Sequence, residues 1–190
     1  SALLNSISHD LRTPLAAVIG ALSSLQEERM DLDDSARANL VQVAREEAER
    51  LNHLITNLLD VTRLESGALK VSKQPCDVED LVGAALEQLG GRAGSHPVRT
   101  DLAAELPFVQ ADFGLITQVL VNLIENALKD SPAGSPVEIT ARPAGQQVEI
   151  AVADRGVGIP PEDLDRVFDK FYRVQVPDGV VGTGLGLAIC

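Results

Sequence analysis

Ile7-Ser8-His9-Asp10-Leu11-Arg12-Thr13-Pro14-Leu15 is the stretch that decides how this chain is interpreted. Apolar residues recur every three or four positions around it, from Leu4 to Leu25, which predicts a helix with one apolar face. Thr13 follows His9 by four residues and therefore shares a helix face with it. The first predicted helix thus carries a histidine with a carboxylate and a hydroxyl close by in sequence.

A second apolar stripe runs from Leu40 to Val61 and predicts a second long helix, after a polar turn at residues 26–34. Three residues can cap its N-terminus, namely Asp33, Asp34 and Ser35. The Ser66-Gly67 pair suits its C-terminal end. Two antiparallel helices leave apolar surface uncovered, so a second copy is expected to complete a four-helix bundle. The sequence therefore predicts a homodimer.

Beyond residue 67 the pattern changes to short β-like runs between helices. Strands are predicted at residues 70–74, 137–141 and 147–153, helices at 78–89 and 112–129, and a loop at 90–97. Polar and apolar residues alternate most clearly in the last two strands, which are expected to pair antiparallel. We therefore predict an α-helical hairpin domain at residues 1–66 and an α+β domain at residues 67–190.

Composition excludes some functions. The formal net charge of −12 disfavours a nucleic-acid partner, because phosphate binding requires clustered Lys and Arg. No apolar run approaches the roughly 20 residues that span a bilayer. Cys76 and Cys190 have neither metal-binding nor redox spacing, which is typical of a reducing, cytoplasmic compartment.

The chemistry predicted for the first helix starts at His9. An exposed histidine is largely unprotonated at neutral pH, so one ring nitrogen can attack phosphorus. Asp10 can accept a hydrogen bond from the other ring nitrogen, although neighbouring helix positions do not face each other. The Thr13 hydroxyl can position a water for the reverse reaction. Pro14 is expected to kink the helix beside the reacting ring.

Asn122-Leu-Ile-Glu-Asn126 lies in the predicted helix at residues 112–129. The two asparagines are one helical turn apart, so both amide oxygens can point at one Mg²⁺ ion beside a triphosphate. Lys129 follows three residues later and can meet phosphate charge. The pair by itself is equally compatible with an ordinary polar helix surface.

Two glycine-rich motifs follow. Asp154 ends an apolar strand and can accept a hydrogen bond from the exocyclic amine of adenine, while Gly156 and Gly158 let the backbone approach the base. The second motif turns backbone N–H groups toward phosphate and comprises Gly182, Thr183, Gly184 and Gly186. The Gly-Lys-Ser/Thr ending of a P-loop is absent, and Leu187 stands where a dinucleotide fingerprint needs glycine.

Together, and in this order, these motifs resemble the core of sensor histidine kinases across nearly the whole chain. The resemblance implies a dimeric four-helix bundle followed by a GHKL-type ATP-binding sandwich. It also implies ATP- and Mg²⁺-dependent autophosphorylation on His9, transfer to an aspartate of a response regulator receiver domain, and phosphatase activity toward that regulator. Phe168-Asp-Lys-Phe171-Tyr172-Arg173 resembles the aromatic box of the family's lid, where Lys170 and Arg173 are expected to reach the γ-phosphate.

The amino-acid residues of these motifs are most similar to those of the potassium-responsive branch of the family. That similarity implies a membrane sensor, with membrane contact only through upstream segments outside this chain. Family members continue past the position of Cys190 with a closing hairpin, so the ATP-binding sandwich is expected to be truncated here. Asp130 stands at a position where these kinases commonly have an aromatic residue.

The alternative to an active kinase is a non-catalytic module that dimerises and docks a response regulator.

Overall fold

The computed structural model describes residues 2–26, 32–67, 69–94, 96–172, 174 and 184–190. The chain divides into two units, Ser1–Ser66 and Gly67–Cys190. Within the described residues, no helix combines the length and the apolar character needed to cross a membrane.

The first unit consists of two helices that pack against each other, α1 (Ala2–Gln26) and α2 (Asp34–Glu65). Asp33 is the N-cap of α2, where its Oδ1 accepts a hydrogen bond of 2.7 Å from the backbone N–H of Ala36. α2 ends at Glu65 with Ser66 as its C-cap, and Gly67 follows with a φ of 63° that favours glycine. The predicted helical N-terminal region is confirmed.

The second unit mixes strands and helices. In chain order its elements are β1 (Gln74–Cys76), α3 (Val78–Leu89), a 3-10 turn (Gly90–Ala93), β2 (Val98–Leu102), β3 (Val109–Ala111), α4 (Phe113–Asp130), β4 (Val137–Ala144), β5 (Gln147–Ala153), a second 3-10 turn (Pro161–Asp163) and α5 (Gly186–Ile189). One sheet has the order β2-β4-β5, with β2 parallel and β5 antiparallel to β4. β1 and β3 form a separate antiparallel pair.

The core of this unit lies between the helices α3 and α4 and the β2-β4-β5 sheet. β4 contributes Val137, Ile139 and Ala141, all fully buried, because alternate residues of a strand point to the same face. α3 contributes Leu81 and α4 contributes Ile124, each with no exposed surface. The predicted α+β sandwich is confirmed. Its helical layer contains α4, which carries Asn122 and Asn126.

One predicted strand is wrong. Residues 70–74 were expected to be extended in a sheet, whereas residues 69–73 have no regular structure and β1 begins at Gln74. The backbone N–H of Ser72 donates to the carboxylate of Asp112 instead of to a neighbouring strand. β2 and β3 had not been predicted, and the expected loop at 90–97 begins with a 3-10 turn.

Asp112 joins this irregular segment to the start of α4. Its Oδ2 accepts from the Ser72 N–H at 2.9 Å, and its Oδ1 accepts from the Leu115 N–H at 3.2 Å as the helix N-cap. These backbone hydrogen bonds, that from Ser72 first, lower the pKa of Asp112 from its ordinary value of 3.8. The carboxylate therefore ties residue 72 to α4 more strongly when it is ionised than when it is protonated.

We expect Asp112→Ala to lower the Tm of the protein at pH 7 by about 5 °C, because an N-cap and a long-range hydrogen bond are lost. The folded pKa lies below the unfolded one, so the charge-dependent part of this stabilisation is complete above about pH 4 and is lost as the pH falls through the folded value. Thermal unfolding of both proteins at pH 7 and at about pH 2.5 measures this, with exposed Asp165→Ala as control. A Tm difference that is equal at both pH values would refute the ionic role.

Candidate functional site

His9 presents its ring to solvent from α1. Its side chain is 81% exposed, and its Nδ1 lies 3.5 Å from Oδ1 of Asp10, whose side chain is only 16% exposed. That separation exceeds the 2.7–3.2 Å of an ordinary N–H···O bond, so the two groups are close without being fully bonded. Because Nδ1 faces the carboxylate, Nε2 on the far edge of the ring is the nitrogen that an incoming group reaches.

Thr13 and Pro14 shape the backbone beneath this ring. The Thr13 hydroxyl donates to the backbone oxygen of His9 at 3.1 Å, which leaves its two lone pairs as acceptors. α1 continues through Pro14, whose side chain is buried. Because proline has no N–H, the carbonyl of Asp10 lacks its helical donor. His9 is therefore followed by a helical segment with one backbone hydrogen bond missing.

The two asparagines of α4 are placed differently. Asn122 is 2% exposed; its Nδ2 donates to the backbone oxygen of Gly186 at 3.4 Å, and its Oδ1 accepts from Gln118 Nε2 at 3.4 Å. Asn126 is half-buried beside Gly186, where an added Cβ would lie 3.7 Å from Asn126 Nδ2. Asn122 therefore binds α5, and Asn126 presents its amide beside the glycine loop.

Residues 154–158 form a tight turn after β5. Oδ1 of Asp154 accepts from the Gly156 N–H at 2.7 Å, which leaves Oδ2 for an incoming donor. A Cβ on Gly156 would lie 2.5 Å from the backbone oxygen of Asp130, so only glycine fits at this position. Gly158 has a φ of 72°. The turn is thus pressed against the C-terminal end of α4.

Gly184 packs against the backbone of residues 171 and 172. Its φ is 65°, and its backbone oxygen accepts from the Phe171 N–H at 2.8 Å. A Cβ here would lie 2.5 Å from the backbone oxygen of Tyr172, so this contact also requires glycine. Gly186 then begins α5, which is only four residues long. The structure therefore brings Gly186 to the Asn122 and Asn126 side chains of α4, and Gly184 to the backbone of residues 171 and 172.

The other site residues predicted from the sequence lie partly within and partly outside the described residues. Lys129 lies half-buried in the last turn of α4, Lys170 is exposed after the second 3-10 turn, and both make interactions within the protein. Arg173, Gly182 and Thr183 lie outside the described residues. Two contacts had not been anticipated: the Arg155 N–H donates to Ser131 Oγ at 3.3 Å, and the Tyr172 hydroxyl donates to Asp163 Oδ1.

Two known families match the chain, one in each unit. Residues 1–67 match the family described as "His Kinase A (phospho-acceptor) domain". Residues 111–190 match "Histidine kinase-, DNA gyrase B-, and HSP90-like ATPase". The chain therefore belongs to the histidine kinase family, which confirms the resemblance, and its second unit is of an ATP-using type.

Two curated sensor proteins are similar to this chain over its whole length. The sensor protein KdpD of Escherichia coli (strain K12) is 37% identical over 192 residues, which cover 100% of this chain and 21% of KdpD. The KdpD of Clostridium acetobutylicum gives the same identity and the same coverage. The chain thus spans about a fifth of the length of these curated relatives.

Solved structures agree with this assignment. The Acinetobacter baumannii histidine kinase AdeS is 28% identical, with a TM-score of 0.68, covering 95% of this chain and 83% of AdeS. Full-length ShkA in complex with AMPPNP is 31% identical, with a TM-score of 0.65, covering 98% of this chain and 39% of ShkA. Both likenesses extend over both units of the chain.

Proposed function

We propose that this chain is the catalytic core of a protein-histidine kinase, which transfers the γ-phosphoryl group of ATP to Nε2 of His9. The observation that carries the proposal is the exposed His9 ring with Nδ1 turned toward Asp10. This orientation directs the free lone pair outward, where phosphorus can approach it. The family match in both units supports the same reaction.

In the transfer step, the lone pair of His9 Nε2 forms a bond to the γ-phosphorus. The bond from that phosphorus to the oxygen bridging to the β-phosphate breaks, and ADP leaves with the electron pair. The ring gains positive charge as this occurs, and the carboxylate of Asp10 at 3.5 Å stabilises it. Asp10 then accepts the Nδ1 proton or keeps it in a hydrogen bond.

The second unit holds the nucleotide in this proposal. Asp154 Oδ2 accepts from the adenine amine, and the backbone at Gly184 and Gly186 lies along the phosphates. Within the described ranges, no three His, Cys, Asp or Glu side chains are grouped as a metal cage. Asn126, whose amide oxygen is a neutral donor of the kind that Mg²⁺ accepts, would hold the ion beside the triphosphate. When bound, Mg²⁺ neutralises charge that develops on the transferring phosphoryl group.

The test is incubation of the protein with Mg²⁺ and ATP labelled at either the γ- or the α-phosphate. We expect label from γ-labelled ATP only, and we expect acid to remove it, because an N–P bond is acid-labile. ShkA, a relative solved with the ATP analogue AMPPNP, supports the choice of nucleotide. Uptake of α-label, or no uptake at all, would exclude the proposed kinase reaction.

The acceptor for the phosphoryl group of His9 is proposed to be an aspartate on a response regulator receiver domain, because a phosphorylated imidazole is an activated donor to a carboxylate. As in the potassium-responsive branch that the sequence resembles, the core is proposed to act on the cytoplasmic side of a membrane sensor, where ATP is available.

Thr13 is proposed to assist the reverse reaction. The Thr13 hydroxyl donates its proton to the His9 carbonyl, so its oxygen remains free to accept a hydrogen bond from a water. That water can then be directed at the phosphoryl group of the regulator. We expect Thr13→Ala to lengthen the lifetime of the phosphorylated regulator at least about tenfold while leaving His9 labelling within about twofold. The lifetime is measured by decay of label, with Thr13→Ser as control. Equal lifetimes for all three proteins would eliminate this role.

The helical hairpin is proposed to form a homodimer. Three large apolar side chains share one face of α1 and remain exposed, namely Leu15 at 46%, Ile19 at 56% and Leu22 at 49%. On α2, Ile55 and Leu59 are exposed at 43% and 50%. Faces of this kind are covered when two hairpins form a four-helix bundle.

We expect Ile19→Lys to raise the dimer dissociation constant at least about a hundredfold, because each dimer would bury two ammonium groups among apolar side chains. Sedimentation velocity across a range of protein concentrations measures this. Ala17→Lys adds the same charge to the exposed opposite face of α1 and should leave the constant unchanged. A monomeric wild-type protein, or equal effects of both variants, would count against the bundle.

A further inference from the structure

Tyr172 follows the stretch of turns at residues 161–171 and contacts three residues of that stretch. Its hydroxyl donates to Oδ1 of Asp163, its ring is faced by the Arg166 guanidinium at 4.1 Å, and its N–H donates to the backbone oxygen of Asp169 at 3.1 Å. The hydrogen bond to Asp163 raises the pKa of Tyr172 above its ordinary value, so the phenol keeps its proton at physiological pH. The side chain is therefore held at its tip, its face and its backbone.

The backbone of this residue is in close contact with Gly184. The carbonyl oxygen of Tyr172 leaves no room for a Cβ there, and the neighbouring Phe171 N–H donates to the Gly184 oxygen at 2.8 Å. Phe171 adopts a φ of 63°, which is unfavourable for a residue other than glycine. The surrounding contacts therefore have to hold Phe171 in this conformation.

These contacts connect the two sides of the proposed nucleotide site. Asp163 belongs to the turn Pro161–Asp163, which follows the Asp154 turn in sequence. Gly184 leads within two residues to Gly186, whose oxygen accepts from Asn122. The Tyr172 hydroxyl thus ties the turn at Asp163 to the backbone of residues 171 and 172, and that backbone in turn contacts Gly184.

We infer that Tyr172 is a positioning residue for the nucleotide, which holds the glycine segment at residues 184–186 in place through its hydroxyl bond to Asp163. This inference rests on the proposed function. Without the bond, Phe171 and Tyr172 lose one of the contacts that hold the Phe171 conformation, and Gly184 loses its fixed contact with the backbone of these two residues. The binding-competent arrangement is then populated for a smaller fraction of the time, and the apparent affinity for ATP falls by that fraction.

The experiment measures the affinity for a non-hydrolysable ATP analogue with Mg²⁺ by calorimetry, together with the Michaelis constant for ATP and the rate at saturating ATP. Tyr172→Phe removes only the hydroxyl. We expect it to raise the dissociation constant about tenfold while retaining most of the rate at saturation. Asp163→Ala should reproduce this effect, whereas Asp163→Asn keeps an acceptor oxygen and should largely restore affinity. Asp165→Ala, an equal loss of charge on the same segment, serves as control.

The outcomes separate two failures. If the wild-type protein binds the analogue and Tyr172→Phe binds it equally well, the positioning role is wrong while the proposed function stands. If Tyr172→Phe and Asp163→Ala weaken binding and the double variant weakens it no further, the two residues act through one bond. Independent, additive effects would overturn the link. If the wild-type protein binds no nucleotide, the proposed function fails and the positioning role fails with it.

Discussion

The variant His9→Gln is expected to take up no measurable label from γ-labelled ATP, a loss of at least about a thousandfold in rate, because no ring nitrogen remains to attack phosphorus. His9 is 81% exposed, so the substitution removes the nucleophile with little change in packing. Asp10→Asn retains an oxygen near Nδ1 but loses the negative charge. It should slow labelling about a hundredfold, because the positive ring is then no longer stabilised.

Initial rates at saturating ATP measure both effects, and binding of an ATP analogue checks that the nucleotide site is intact. Ser8→Ala is a suitable control, because Ser8 is an exposed neighbour of His9 on α1. Labelling of the His9→Gln variant at a rate near that of the control would assign the nucleophile to another residue.

The second large effect is expected for Gly156→Ala. The new Cβ would lie 2.5 Å from the backbone oxygen of Asp130 and 2.9 Å from Oδ1 of Asp154, so the turn has to move away from α4. The carboxylate of Asp154, which is proposed to accept a hydrogen bond from adenine, moves with the turn. We expect the dissociation constant for the ATP analogue to rise about a hundredfold, since the displaced carboxylate no longer accepts from the adenine amine and the turn no longer fits the base.

Gly145→Ala is the control for a glycine-to-alanine change in a turn away from the site. Gly145 has a φ of 64° in the turn between β4 and β5, with nothing within 4 Å of its added Cβ. This variant carries the backbone strain of alanine at positive φ without a steric clash at the site. Calorimetry on the two variants should separate them. Equal affinity in both would show that the contact between Gly156 and Asp130 does not shape the nucleotide site.

Sequence periodicity predicted the elements whose signals are local. α1, α2, α3 and α4 each carry an apolar stripe, and β4 and β5 alternate and are joined by a short turn. β1 and β2 depend on distant partners instead. Gln74 pairs with Ala111, and β2 runs parallel to β4 with Val98 opposite Val137. Such pairings are set by tertiary packing, which is why the first strand was placed too early and β2 was not predicted.

The site shows the same division between local and distant signals. The sequence predicted both asparagines as ligands because they are one turn apart, but spacing could not show that Asn122 turns to Gly186 while Asn126 remains beside the loop. Asp163 is one of several acidic residues near the Phe168 motif, and no spacing rule selects it as the acceptor for Tyr172. Side-chain hydrogen bonds between distant segments need coordinates. The nucleotide roles of these residues stay predictions.

The most direct test of phosphoryl transfer to His9 is phosphorus NMR of the wild-type protein after incubation with Mg²⁺ and ATP, using histidine labelled with nitrogen-15 in its ring. We expect one phosphoryl group per reacting chain, bonded to Nε2 of His9, because Nδ1 faces Asp10. A phosphoryl group on Nδ1, on a carboxylate or on a hydroxyl oxygen would contradict the orientation of the ring on which the proposed mechanism depends.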